Sequence, residues 1–401
     1  MTGSQPHRPL PELLTSCVHC GFCLEVCPTF QASGDENNSP RGRLRLWREE
    51  ADGQLPPDPW TASYTGDCVG CLACEPACPA NVPYGEILEQ VRHEHVQSGR
   101  SRPRLLLRVA AWLAARPALF NAAMLPVRWL RRRRLAPHRL LFPGQPESLL
   151  STARYAEQLM ARHRPTGPRA ALLTGCLMDA VFREINFATI RVLIENNVQV
   201  VIPEAQGCCG AMHEHLGLDD VERLRQVNRE AFRGAGVDVV LANSAGCGLA
   251  TRRALDGLLP VRDVLDFLGE IGPIRRTGRP ESARVWLDLP CHLVHGQRSP
   301  GIPAAVMDAT GYQWQLAPGA RDCCGSGGVF HLQRPVAARE ILQQKSAFLN
   351  DVPGDPLILA TSNHVCMMQW HSAAAAGFVK KPFAVKHVIQ LLDPHSPRGN
   401  S

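Results

Sequence analysis

From residue 170 onward the apolar positions fall into short runs of strand length, ALLTGC, VQVVIP and VDVVLAN, separated by the helix-length stretches 179–197 and 219–236. Such alternation predicts an α/β layer with a mainly parallel sheet, because parallel neighbours need a crossover of a dozen or more residues. The order then recurs in VWLDLPC, a loop, the helical QRPVAAREILQQKSAFLN and the strand PLILATS. The C-terminal part therefore reads as a duplicated unit. Upstream, RGRLRLWREE follows Ser39-Pro40 as a helix, since Ser caps and Pro fits the first turn. Residues 99–168 show helical periodicity broken at Pro117 and Pro126 and end in loop-like PHRLLFPGQP and RHRPTGP. The expected organisation is α+β and multidomain: a helical module over 1–98, a connecting segment over 99–168, and α/β repeats over 169–270 and 271–401, with mainly parallel sheets.

Composition narrows the class. At 45% apolar and 20% charged over 401 residues, the chain excludes wholesale disorder and an integral membrane bundle. The N-terminal MTGSQPHRPL has no signal-peptide core, and no run of 18 apolar residues occurs, so a reducing, cytoplasmic setting is expected. Charge is uneven. Residues 99–146 hold eleven arginines and no acid, which leaves the remainder at −5 within an overall +6. No nucleic-acid reading motif accompanies that basic stretch, so no nucleic-acid partner is expected. Arg104, Arg108 and Arg116 share a helical face while Leu106, Val109, Trp112 and Leu113 cover others, and Trp129 adjoins the run Arg131 to Arg134. Two readings follow: peripheral attachment to the cytoplasmic face of a membrane, with access to its quinone pool, or an interdomain helix with a solvated charge run.

Sixteen cysteines change the picture most. Cys17, Cys20, Cys23 and Cys27-Pro28 form CxxCxxCxxxCP, and Cys68, Cys71, Cys74 and Cys78-Pro79 form it again. Three thiolates at this spacing wrap one cubane, while the fourth ligates the other cluster in two-cluster ferredoxins. This assigns Cys17, Cys20, Cys23 and Cys78 to one [4Fe-4S] cluster and Cys68, Cys71, Cys74 and Cys27 to a second. Structural zinc is the competing reading, and it more often uses two CxxC pairs or Cys/His mixtures. Gly21 and Gly70 leave room for backbone amides to approach the sulfurs.

The other eight cysteines follow the duplication. Cys176 is separated from Cys208-Cys209 by 31 intervening residues and Cys291 from Cys323-Cys324 by the same 31, each pair is followed by Gly, and each unit closes with Cys247 or Cys366. All sit near strand C-termini, where open α/β sheets collect ligands. A further iron-sulfur or zinc centre, a thiol-disulfide site, or buried small hydrophobes all fit. His213, His215, His292, His331 and His364 lie nearby in sequence as ligands, proton shuttles or partners of loop carbonyls.

CVHCGFCLEVCP, CVGCLACEPACP, the SPRGR segment from Ser39, and the units GCCGAMHEHLG and DCCGSGGVFHL together resemble the iron-sulfur subunit of glycolate oxidase (glycolate dehydrogenase). The resemblance implies electron relay from FAD on flavin-binding partner subunits, which oxidise glycolate to glyoxylate, toward the respiratory chain. It also implies that the eight N-terminal cysteines are cluster ligands. The CCG units also resemble heterodisulfide reductase subunits and the third subunit of anaerobic glycerol-3-phosphate dehydrogenase, so the alternatives are an electron-transfer subunit of a D-lactate or anaerobic glycerol-3-phosphate dehydrogenase, or a heterodisulfide-reductase-like thiol-disulfide enzyme. The fuller CCG pattern ends in CxxC, and here Ser244 and Asn363 stand three residues before Cys247 and Cys366. No GxGxxG fingerprint follows a strand, so oxidation itself is expected on a partner chain, and no catalytic residue is assigned here.

Overall fold

The computed structural model describes residues 8–132, 150–272, 274–275, 283–353 and 357–393. The N-terminal part is helical. Pro28–Ser33 begins directly after Cys27, its N-cap, whereas Cys78 is followed by a turn before the helix Tyr84–Gln97. Between the two runs lies Pro40–Ala51, capped by Ser39 Oγ accepting from Gly42 N–H at 2.9 Å, with Pro40 in the first turn. The cap satisfies one of the free amides of a helix start, and proline lacks another. Leu13, Leu14, Leu44, Trp47, Ile87, Leu88 and Val91 close over one another to form this module's core.

Two four-stranded sheets follow. β1 (Arg169–Leu173), β2 (Gln199–Val201), β3 (Val239–Ala242) and β4 (Val261–Asp263) are ordered β2-β1-β3-β4. β5 (Arg284–Asp288), β6 (Gln313–Leu316), β7 (Leu357–Thr361) and β8 (Phe383–His387) repeat the order as β6-β5-β7-β8. Every pairing is parallel. β3 and β7 are buried along their whole length, as inner strands covered by helices on both faces must be. In each sheet the first strand's neighbours lie to either side of it, which makes a switch point between β1 and β3, and between β5 and β7.

The repeats share one core, with Leu172, Val264 and Leu268 of the first continuous with Val285, Leu359 and Val388 of the second. Buried polar contacts fix their register. Arg191 grips Asp393 through Nε to Oδ1 at 2.8 Å and Nη2 to Oδ2 at 2.5 Å, and His387 Nε2 donates to the Asn243 carbonyl at 2.9 Å. Two helices of the connecting segment pack on the repeats. Tyr155 of Thr152–His163 stacks on Phe187 at 4.0 Å, and Leu105–Ala114 buries Leu107, Ala111 and Ala114 against Leu216, Val329, Cys208 and Leu224. The periodicity breaks fall at Ala115-Arg116 and Met124, just ahead of the prolines in Pro117–Ala123 and Leu125–Arg132. Among the described residues no single helix is long and apolar enough to cross a membrane.

Candidate metal centres

Each four-cysteine run opens with a loop that turns left-handed twice. His19 (φ 55°) and Gly21 (φ 91°) flank Cys20, and Gly70 (φ 74°) and Leu72 (φ 62°) flank Cys71. The two loops share one backbone conformation, although each places glycine at a different one of the two positions. The non-glycine positions cost about 1 kcal/mol or more each, a strain that surrounding structure must hold. The turns aim amides at sulfur: Gly70 N–H donates to Cys68 Sγ at 3.4 Å, His19 N–H to Cys17, and Arg41 N–H to Cys23.

In space the cysteines regroup across the runs. Cys17, Cys20, Cys23 and Cys78 line one cavity, which Cys74 also touches. Burial, and then the Cys78 and Cys20 thiols, push Cys17 upward, and burial pushes Cys23 up to about 11. Cys27 lies instead beside Cys71, and Cys74 is raised well above its usual value by burial and then by Cys71, Cys68 and Cys27. The first group is the outward one. Cys20 is exposed with Val18 and Phe22, which are 69% and 64% accessible, whereas Cys68, Cys74 and Val69 are buried.

The C-terminal cysteines form two further sets. Each Cys-Cys-Gly loop ends in a left-handed glycine, Gly210 (φ 89°) or Gly325 (φ 77°), and a Cβ on Gly325 would stand 2.8 Å from the Ala338 carbonyl oxygen. This turn lets successive thiols converge on neighbours from different strands. Cys208 Sγ meets Cys176 Sγ at 3.5 Å, and Cys209 contacts Cys247. In the second repeat Cys324 Sγ meets Cys366 Sγ at 3.3 Å, and Cys323 contacts Cys291. Thiols donated by Cys176 and Cys209 hold Cys208 well below its usual range, as those of Cys323 and Cys366 do for Cys324. A zinc ion would draw four donors to within about 2.3 Å of one point. Among the described residues no group of three or more His, Cys, Asp or Glu is gathered for a single metal ion.

One contact joins the two halves of the chain. Cys71 and Cys323 are in side-chain hydrogen-bond contact, 252 positions apart in sequence. Around them the second loop seats on the second repeat: Val69 packs with Phe330, Ala338 and Ile341, and His292 Nε2 donates to the Gly70 carbonyl at 2.9 Å. A Cβ on Gly327 would come within 2.5 Å of the Val69 carbonyl oxygen, so only glycine permits this approach.

The five histidines take different roles. His292 and His331 hydrogen-bond backbone carbonyls, of Gly70 and Ser326. His215 stacks on His292 at 5.7 Å beside Arg92, and burial holds it well below its usual value. His364 lies against Phe182 and is pushed by burial to about 3. His213 alone reaches a cysteine, Cys208.

Residues 13–82 match the 4Fe-4S dicluster domain family, and residues 170–252 and 287–370 match the cysteine-rich (CCG) domain family. The chain thus joins one dicluster domain to two cysteine-rich domains. It is similar to the probable glycolate oxidase iron-sulfur subunit of Bacillus subtilis (strain 168), 29% identical over 89% of this chain and 88% of the relative. It is likewise similar to the glycolate oxidase iron-sulfur subunit of Escherichia coli (strain K12), 29% identical over 95% and 94%. One subunit of the fumarate reductase (CoM/CoB) of Methanothermobacter marburgensis is 31% identical over 48% of this chain and 40% of its own length.

The SPRGR segment of this iron-sulfur protein shows whether its interior suits a cluster. Ser39 caps, Pro40 starts the helix, and the Arg41 amide faces Cys23. A Cβ on Gly42 would overlap the Glu36 carbonyl oxygen at 2.0 Å. Arg43 is wholly buried, bonded through Nε to the Tyr64 carbonyl at 2.7 Å and through Nη2 to Thr29 and Asn38, while its Nη1 has no partner. Among the described residues no carboxylate pairs with it, and Cys68, Tyr84 and Cys27 are the neighbours that favour its charge. A buried cation without an anion costs several kcal/mol. A thiolate-bound iron-sulfur cluster supplies that anion, so the residues fit the group. In the sequence Arg43 stands as one arginine among several in a helix, and its signal is the absence of an acid three or four residues away on either side.

Proposed function

We propose that this protein is the electron-transfer subunit of a flavin-dependent glycolate dehydrogenase, receiving electrons from FAD on a partner subunit and passing them toward the respiratory chain. The observation that carries the reading is the Cys71–Cys323 contact, which sets a sulfur of the dicluster domain against one of the second cysteine-rich repeat. Cys17, Cys20, Cys23 and Cys78 would hold one [4Fe-4S] cluster, and Cys27, Cys68, Cys71 and Cys74 the other. When bound, the clusters supply one-electron redox chemistry.

The chain's own residues do the rest. Val18 and Phe22 offer an apolar contact around the exposed Cys20, where a donor can approach. Arg43 holds positive charge beside Cys27 and Cys68, and the loop amides hold partial positive charge at Cys17, Cys23 and Cys68. The buried Val69 and Leu72 keep water from the inner loop. The similarity to glycolate oxidase iron-sulfur subunits over nearly the whole chain supports glycolate as the donor's substrate. The test is anaerobic purification of the tagged protein from its own cells, followed by dye reduction with glycolate, D-lactate and glycerol 3-phosphate. A co-purifying flavoprotein with activity on glycolate is the expected result. Activity with only one of the other two reassigns the complex, and a solitary chain whose iron is reduced by none of the three removes the hydroxy-acid reading.

A further inference from the structure

The Leu105–Ala114 helix has two unlike sides. Leu107, Ala111 and Ala114 are buried against Leu216, Val329 and Leu224, and Ala114 with Ala115 helps to wall in Cys208. The other side is bare: Leu105 and Leu106 are 74% and 78% accessible, with Val109 and Trp112 near one half. Leu119 and Leu125 of the next two helices are also about half exposed. A monomer rarely leaves so many large apolar side chains of one segment open without a use for them.

Charge identifies the occupant. The patch lies in the 99–146 stretch of eleven arginines and no acid, while the remainder of the chain carries −5. Arg116 lies over the Trp112 ring at 4.0 Å, which places a cation at the rim of the apolar face. The run Arg131 to Arg134 continues the charge, with side chains outside the described residues. The first two helices, of 10 and 7 residues, meet at 111°. Neither approaches the roughly 20 residues needed to span a bilayer. Short apolar helices rimmed by arginine and tryptophan suit the plane of a headgroup layer, and anionic lipid attracts the one basic region while repelling the acidic remainder.

We propose that Leu105–Ala114 and the two helices after it seat this protein on an anionic lipid bilayer, with the first cysteine-rich repeat directly behind the contact. The seat needs no substrate and no partner chain, so it stands or falls separately from the glycolate reading.

The experiment is flotation of the purified full chain, clusters intact, with vesicles of phosphatidylcholine alone and of phosphatidylcholine mixed with phosphatidylglycerol. Binding to the mixed vesicles, release by high salt, and little binding to phosphatidylcholine are expected. Arg104→Glu with Arg108→Glu should weaken binding at least about ten-fold, and Leu105→Glu with Leu106→Glu about as much. All four side chains reach solvent, and an unchanged cluster absorbance confirms the fold of each variant. Failure of the native chain to float at low salt overturns the proposal, as does a Leu105/Leu106 variant that floats like the native chain. If that variant floats normally but loses a co-purifying chain, the patch is a protein interface and the lipid assignment is wrong.

Discussion

Ser244 Oγ donates to Asn363 Oδ1 at 3.0 Å, in a buried contact between corresponding positions of the two cysteine-rich repeats. Both residues cap helices and share a backbone conformation, φ −147° and −148°. Asn363 Nδ2 also donates to Cys366 Sγ at 3.4 Å, and the Ser244 hydroxyl neighbours Cys247. The two positions where the fuller pattern has cysteine thus meet each other and link the two sulfur sets.

Replacing Ser244 by Ala leaves the Asn363 side chain buried with an unmet acceptor. A loss of about 1–3 kcal/mol is expected, read as a lower denaturant midpoint at unchanged slope. An Asn363→Ser variant retains a hydroxyl pair and should lose less. A native denaturant midpoint in the Ser244→Ala variant would show that the contact adds no stability.

Arg43→Met removes a charge buried beside Cys27 and Cys68, at a site that the clusters' negative charge would otherwise balance. The prediction is a fall in bound iron per chain, centred on the inner four-cysteine group, with about 3–5 kcal/mol lost from the loaded protein. Iron analysis and low-temperature paramagnetic spectra check it. Full iron loading with native spectra would remove Arg43 from the role assigned above.

Much of this was legible in the cysteine spacing, because a CxxCxxC loop and a CCG turn are made by near neighbours. The alternation of apolar runs with amphipathic stretches likewise anticipated two parallel sheets, since each crossover is local. Arg43, Ser244 and Cys71 were a different matter. Their roles depend on what lies opposite them in the folded chain, and Cys323 sits on another domain altogether. The left-handed His19 and Leu72 were also hidden, because neither residue type announces that conformation.

Lys345 Nζ pairs with Asp288 Oδ1 at 2.6 Å, both nearly inaccessible, and the Lys345 charge also favours the Cys324 thiolate. Lys345→Met combined with Asp288→Asn removes the pair without stranding either charge. Stability should then change little, whereas Lys345→Met alone, which strands the buried Asp288 carboxylate, should lose about 3–5 kcal/mol. Denaturant midpoints of the two variants decide the matter, and equal midpoints refute the pairing.

Asp263 accepts from Leu265 N–H at 2.9 Å through Oδ1, while burial, and then Asp266, raise its carboxyl to about 7. The folded state therefore binds a proton that the unfolded state releases near pH 4. Stability contributed by the neutral form is complete below about 4 and is lost as pH rises to about 7, by at most about 4 kcal/mol. Asp263→Asn keeps the helix-capping oxygen and should flatten that interval, making the variant the more stable protein above pH 7. Thermal melts across the range would detect it, and parallel curves for the two proteins would contradict the shift.

Phe22→Glu places a charge on the exposed rim of the outer loop, away from the interior. Reduction by dithionite should be unchanged, while reduction by the proposed flavoprotein partner and its substrate slows by about ten-fold or more, as when a central apolar anchor is removed from an interface. Equal rates with both reductants would move the donor's docking point elsewhere.

The inner loop of the dicluster domain sets Val69 and Cys71 against Phe330 and Cys323 of the second repeat and Gly70 beside His215 of the first. Two identical repeats assembled as a homodimer would offer two equivalent seats, and nothing in such a pair would stop a second dicluster domain from occupying the other. Covalent fusion of unequal halves removes that degeneracy. The polypeptide thereby sets its own stoichiometry at one electron inlet for each pair of cysteine-rich repeats.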